Sequence, residues 1–72
     1  MKSIRKISVG ADYKNAMHYI VGSTVINGEY VINTIKFEGM SLQIWIEKNN
    51  EVFLWKEFTP TMPVSIEFNI DF

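Results

Sequence analysis

Apolar and polar residues alternate without a break from Val64 to Phe72, and this is the clearest pattern in the chain. A period of two sets one row of side chains on a core and the other in water, which predicts a strand. The alternation runs to the last residue, so the C-terminus is expected to be built into a sheet. Upstream, Lys2 to Val9 reads as a first strand. Ile7 and Val9 share a face there while Ile4 is out of phase, the mark of a bulge or an edge position. Gly10-Ala11-Asp12 then turns the chain. Asp12 to Tyr19 is the one stretch with helical character. It would form one or two turns capped by Asp12, with Ala16, Met17 and Tyr19 against the sheet.

Every later segment reads as strand. Ile20 to Ile26 is rich in β-branched residues and interrupted by Gly22, a bend or bulge signal. Asn27-Gly28 is the strongest turn signal, because both central residues of a type I′ turn need positive φ. Glu29 to Glu38 follows, with Val31, Asn33, Ile35 and Phe37 on one face and Ile32, Thr34 and Lys36 on the other. Gly39-Met40 leads into Leu42 to Glu47, Asn49-Asn50 makes a second hairpin, and Val52 to Phe58 returns. Pro60 and Pro63 bracket a rigid connection to the last strand. The pattern predicts an all-β chain forming one domain over residues 1–72. Its architecture would be a small antiparallel barrel of SH3-like type or a strongly bent five- to six-stranded sheet, with at most one short helix near residues 12–19.

The second hairpin is the most informative for function. A two-residue turn at Asn49-Asn50 pairs Lys48 with Glu51, Glu47 with Val52, Ile46 with Phe53, Trp45 with Leu54, Ile44 with Trp55 and Gln43 with Lys56. One face then carries Leu42, Ile44, Ile46, Phe53 and Trp55, which is ample core. The other carries Trp45, Val52 and Leu54 beside Gln43, Glu47 and Lys56. An aromatic ring rimmed by polar groups is how an interface hot spot is built. The leading expectation is therefore a non-catalytic protein that masks a partner protein through Trp45, Leu54, Val52, Gln43, Lys56 and Trp55, with Phe53 beside them. A second core under Trp45 is the plainer alternative.

Composition narrows the classes. Seventy-two residues make a single small domain that buries only about 60% of its extended surface, so extra burial through self-association is expected. A homodimer or higher homo-oligomer is the expected form, by a C2 contact through Trp45 and Leu54 or by pairing of an exposed edge strand. The absence of cysteine removes disulfides and thiolate metal sites and favours a cytoplasmic location, the host cytoplasm if the protein is viral. A net charge of -1 argues against a nucleic-acid partner. No apolar run approaches a membrane span.

Residue by residue, the chemistry is sparse. His18 is the one histidine and no second ligand accompanies it, so no metal site and no cofactor is expected. Asp12 and Ser23 lie near it, but their spacing enforces no triad, and an enzyme is not expected. Glu67 and Asp71 read as the solvated face of the last strand. A small-molecule or nucleotide-sequestering homo-oligomer is the alternative function, with Arg5, Lys6, Tyr13, Lys14 and His18 supplying stacking and cationic groups at a subunit junction. A structural accessory protein is a further alternative.

Two resemblances add to this. Val21-Gly22-Ser23-Thr24-Val25-Ile26-Asn27-Gly28-Glu29-Tyr30 resembles the first hairpin of SH3-like or KOW-like barrels, which implies a fold and not RNA binding. Tyr13-Lys14-Asn15-Ala16, Trp55-Lys56-Glu57-Phe58 and Met62 to Glu67 are similar in style to the small accessory proteins of tailed bacteriophages. That resemblance implies a binding role, such as inhibiting a host enzyme or sequestering a nucleotide signal.

Overall fold

A computed structural model describes residues 2–12 and 14–70 of the chain and is all-β. Seven strands follow in order: β1 (Lys2–Val9), β2 (Met17–Ile20), β3 (Thr24–Val25), β4 (Tyr30–Glu38), β5 (Ser41–Lys48), β6 (Glu51–Phe58) and β7 (Val64–Ile70). All pairings are antiparallel, in a three-stranded sheet of order β2-β1-β7 and a four-stranded sheet of order β3-β4-β5-β6. One of these curls strongly into a half-barrel. The expectation for Asp71 and Phe72 falls outside the described residues.

The two sheets are joined through the stretch expected as a single strand from Ile20 to Ile26. It bends at Gly22 (φ +96°). Val21 N–H donates to the Arg5 carbonyl in the first sheet, whereas Gly22 and Ser23 exchange bonds with Ile32 in the second. One run of chain therefore hands its hydrogen bonds from β1 to β4, and the bend is what divides β2 from β3.

The helix expected over residues 12–19 is absent among the described residues. Asp12 does cap, but it caps a turn: its carboxylate accepts from the Lys14 amide at 3.1 Å and from Asn15 Nδ2 at 2.9 Å, and its carbonyl accepts from the Asn15 amide at 3.0 Å. Met17 to Ile20 then pairs with β1. A helix of one or two turns gains too few hydrogen bonds to offset nucleation, while β1 offers a ready-made ladder.

The core consists of Ile7, Val9, Tyr19, Ile32, Ile35, Leu42, Ile44 and Ile46, with Trp55, Phe58, Val64 and Ile66 packed on it. Ile32 and Ile35 both point inward, against the expectation that they lie on opposite faces. The register shifts between Ile32 and Thr34, so Asn33 is an extra residue that turns the rest of β4 over. The same device occurs in β1 at Arg5, in the strand where the phase of Ile4 predicted a bulge or an edge position, and it brings Ile4 and Ile7 to one core.

Candidate functional site: the open side of the central hairpin

β6 hydrogen-bonds along one side only. It pairs with β5 and with no other strand among the described residues. The hairpin is closed by Asn49 (φ 54°) and Asn50 (φ 65°), both left-handed, as a two-residue type I′ turn requires. The expected pairs hold from Lys48↔Glu51 to Trp45↔Leu54 and then fail: Ile44 meets Lys56, and Gln43 meets Glu57. Leu54 and Trp55 together oppose Trp45, so β6 is bulged at this point. Lys56, expected on the outer face, stands instead across from buried Ile44. Trp55 packs on the core with its ring 6.1 Å from Tyr19, edge to face, and Lys56 Nζ lies 4.8 Å from the Trp55 ring centroid.

Trp45 lies on the outer face, half-buried, and its bonding capacity is consumed within the chain. Its indole N–H donates to Gln43 Oε1 at 3.2 Å, and Gln43 Nε2 donates to Glu57 Oε2 at 2.6 Å. Lys36 Nζ sits 5.5 Å from the ring centroid, and Thr34, Lys36 and Val52 border it. Gln43, expected in a wet rim, is buried at 9% exposure between Trp45 and Glu57.

The expectation of a protein that masks its partner through an aromatic face is therefore wrong. No aromatic cluster exists among the described residues. Trp45 and Trp55 occupy opposite faces, and rings meet in separate pairs, Tyr19 with Trp55 and Tyr30 with Phe53 at 6.4 Å. What lies open is an apolar stretch of strand: Val52, Phe53 and Leu54 are 48%, 44% and 41% exposed in succession. Consecutive residues of a strand face opposite ways, so exposure of all three describes an edge and not a face.

The described residues assigned to a ligand lie on β1, on β2 and on the turn between them. Arg5 is exposed at the β1 bulge and Lys14 is exposed on the Asp12 turn. Lys6 pairs with Glu67 at 3.9 Å beside a cavity of about 260 Å³ that Ser8 and Ser65 also line. His18 accepts or donates through Nδ1 at 2.7 Å from Ser8 Oγ, across the β1–β2 ladder. Tyr13 lies outside the described residues. Sequence reasoning missed the Ser8–His18 bond because it placed His18 on a helix. The directly opposed strand positions that create the bond existed only once β2 replaced that helix.

At the hairpin tip, Glu29, Val31, Glu47, Lys48, Asn49 and Asn50 line an open groove of about 430 Å³. Its charged groups already have partners: Lys48 pairs with Glu29 at 3.9 Å, and Glu47 accepts a hydrogen bond from Asn33 Nδ2 at 2.7 Å. Among the described residues no group of three metal-ligating side chains comes together, and no helix is long and apolar enough to cross a membrane. The chain matches no family model, and no curated protein or solved structure is significantly similar to it.

Proposed function

We propose that the chain acts as a self-assembling β module in which copies join along the open edge of β6. The observation that carries this is the run Val52-Phe53-Leu54, exposed on a strand that is hydrogen-bonded on one side only. Unpaired N–H and C=O groups on such an edge are a template for another strand, and proteins that stay monomeric blunt them with charge, proline or a covering loop. β6 carries none of these between Val52 and Trp55. β7, at the edge of the first sheet, does: it follows Pro63 and presents Ser65, Glu67 and Asn69, with Glu67 held by Lys6.

Each backbone bond made across the edge contributes about 0.5–1.5 kcal/mol and each apolar cross-strand pair about 0.2–1 kcal/mol. A chain this small gains in relative terms from both. Sedimentation equilibrium tests the reading directly. The wild type is expected at twice 8.4 kDa or more at high micromolar concentration, and Leu54→Lys, which places a charge on the edge, at 8.4 kDa with an unchanged circular dichroism spectrum. A wild type that stays at 8.4 kDa, or a Leu54→Lys variant that assembles as well as the wild type, rules it out.

A further inference from the structure

Resting on that reading, we infer that the partner at this edge is a second copy of β6 running antiparallel, with Phe53 on the two-fold axis and Val52 of each copy hydrogen-bonded to Leu54 of the other. The turn sets the phase. In a two-residue hairpin the residues flanking the turn, Lys48 and Glu51, form a hydrogen-bonded pair, and the ladder alternates from there. Glu51 and Phe53 thus aim their backbone groups at β5, and Val52 and Leu54 aim theirs outward. A two-fold strand pair must match outward residues with outward residues. That requirement leaves three registers for this segment, centred on Val52, Phe53 or Leu54.

The bulge and packing choose among the three. Centring on Leu54 puts the bulged Leu54-Trp55 step of both copies on the two-fold axis, where the regular ladder of each is interrupted. Centring on Val52 sets Leu54 against Asn50 in the turn and leaves its side chain without an apolar neighbour across the seam. Centring on Phe53 pairs Val52 with Leu54 twice. On the outer face this extends Trp45 and Leu54 of one copy into Val52 of the next.

The bulge supplies the remaining complementarity. Glu51 shares the inner face with Phe53, because their partners Lys48 and Ile46 are two apart on β5. Without the bulge Lys56 would point the other way; with it, Lys56 stands opposite Ile44 on that same inner face. In the Phe53-centred register, Glu51 lies across from Trp55 of the second copy, whose ring already carries Lys56 Nζ at 4.8 Å. Glu51 makes no ion pair among the described residues, so the second copy provides it with a cation on each side of the axis.

Cysteine cross-linking reads the register. A non-hydrogen-bonded antiparallel pair has Cα atoms about 4.5 Å apart, inside the range a disulfide spans, whereas residues displaced by two along the ladder lie roughly 8 Å apart, beyond it. Phe53→Cys and Leu54→Cys are each oxidised at the concentration where the wild type assembles, and checked by circular dichroism and by sedimentation under reducing conditions. The expected result is near-complete conversion of Phe53→Cys to a covalent dimer and only residual cross-linking of Leu54→Cys. Efficient cross-linking through Leu54 but not Phe53 overturns this register and leaves β6 assembly standing. A folded, assembled protein in which neither position cross-links overturns it as well. Should the wild type be monomeric, both conclusions fall together. A Val52→Cys/Leu54→Cys double variant serves as the second probe: those positions face one another across the proposed seam, and its failure to cross-link counts against the register even if loss of Phe53 weakens assembly.

Discussion

Gly10 ends β1 with φ at +138°, a conformation L side chains rarely adopt, and a Cβ built there would lie 3.0 Å from Ala16 Cα and 3.2 Å from Ala16 Cβ. Its amide also donates to the Pro63 carbonyl at 2.9 Å, which fastens the start of β7. Gly10→Ala therefore faces two costs. Backbone strain in a glycine-only region is about 1–3 kcal/mol, and pressing a methyl group into a close backbone contact adds about 1–3 kcal/mol. Together they amount to a large share of the roughly 4–10 kcal/mol expected for a domain of this length. Gly39→Ala is the matched control. Gly39 has φ +64° and nothing within 4 Å of an added Cβ, so it carries only the conformational term, about 1 kcal/mol. Urea denaturation followed by tryptophan fluorescence, at a concentration low enough to keep assembly from contributing, gives both values. Gly10→Ala should lose about 1–3 kcal/mol more than Gly39→Ala, equivalent to a further drop in Tm of at least about 4 °C. Equal losses would refute the crowding argument, and a Gly10→Ala variant within about 0.5 kcal/mol of wild type would refute the strain argument too.

Ile44→Ala, which empties a fully buried position in the central strand β5, should cost about 2–5 kcal/mol in the same denaturation experiment, and a loss under 1 kcal/mol would show that the site collapses freely. Gln43→Leu leaves the Trp45 indole N–H and the Glu57 carboxylate without their shared partner and should cost about 1–3 kcal/mol; an unaltered stability would mean water replaces both bonds. Burial raises the Tyr19 phenol above its ordinary value of 10.0, so the folded protein holds that proton more tightly than the unfolded chain does. Its contribution to stability is accordingly complete below about pH 10 and is lost as the pH climbs through the raised value. Tyr19→Phe should flatten that alkaline loss in a pH series of urea midpoints, and an identical slope in wild type and variant would assign it to other groups.

Much of the fold was legible because its cues are local. Asn27-Gly28 and Asn49-Asn50 mark turns by backbone chemistry, and the period of two marks the strands around them. The errors come from bulges, where one extra residue reverses every side chain beyond it. Asn33 and the Leu54-Trp55 pair carry no distinctive residue type, since the bulge at each is imposed by packing Ile35 and Trp55 onto a core assembled from distant strands. Residues 12–19 failed for a related reason: the capping signal at Asp12 was read correctly, but whether a turn or a helix follows depends on β1 lying alongside. The expected aromatic face fails because Gln43 bonds both Trp45, two residues away on its own strand, and Glu57, which comes opposite Gln43 only when the bulge shifts β6 by one. Exposure of the β6 edge is a property of strand order, which alternation alone does not encode.

The pairing of β1 with β7 has a consequence for the order in which the molecule can form. Lys2 is registered with Ile70 and Val9 with Val64, so the first sheet cannot be completed until the whole of the intervening chain has been made. Closing that span costs about 2 kcal/mol more in chain entropy than closing the tight turns of the β4-β5-β6 meander. The meander, whose contacts are all between neighbours in sequence, is expected to organise first and to present Leu42, Ile44 and Ile46 as the surface on which β1 later docks. During synthesis on the ribosome β1 emerges first and finds its outer partner last. In the interval β2 is the one ladder neighbour of β1, and the edge that β7 later fills stands open.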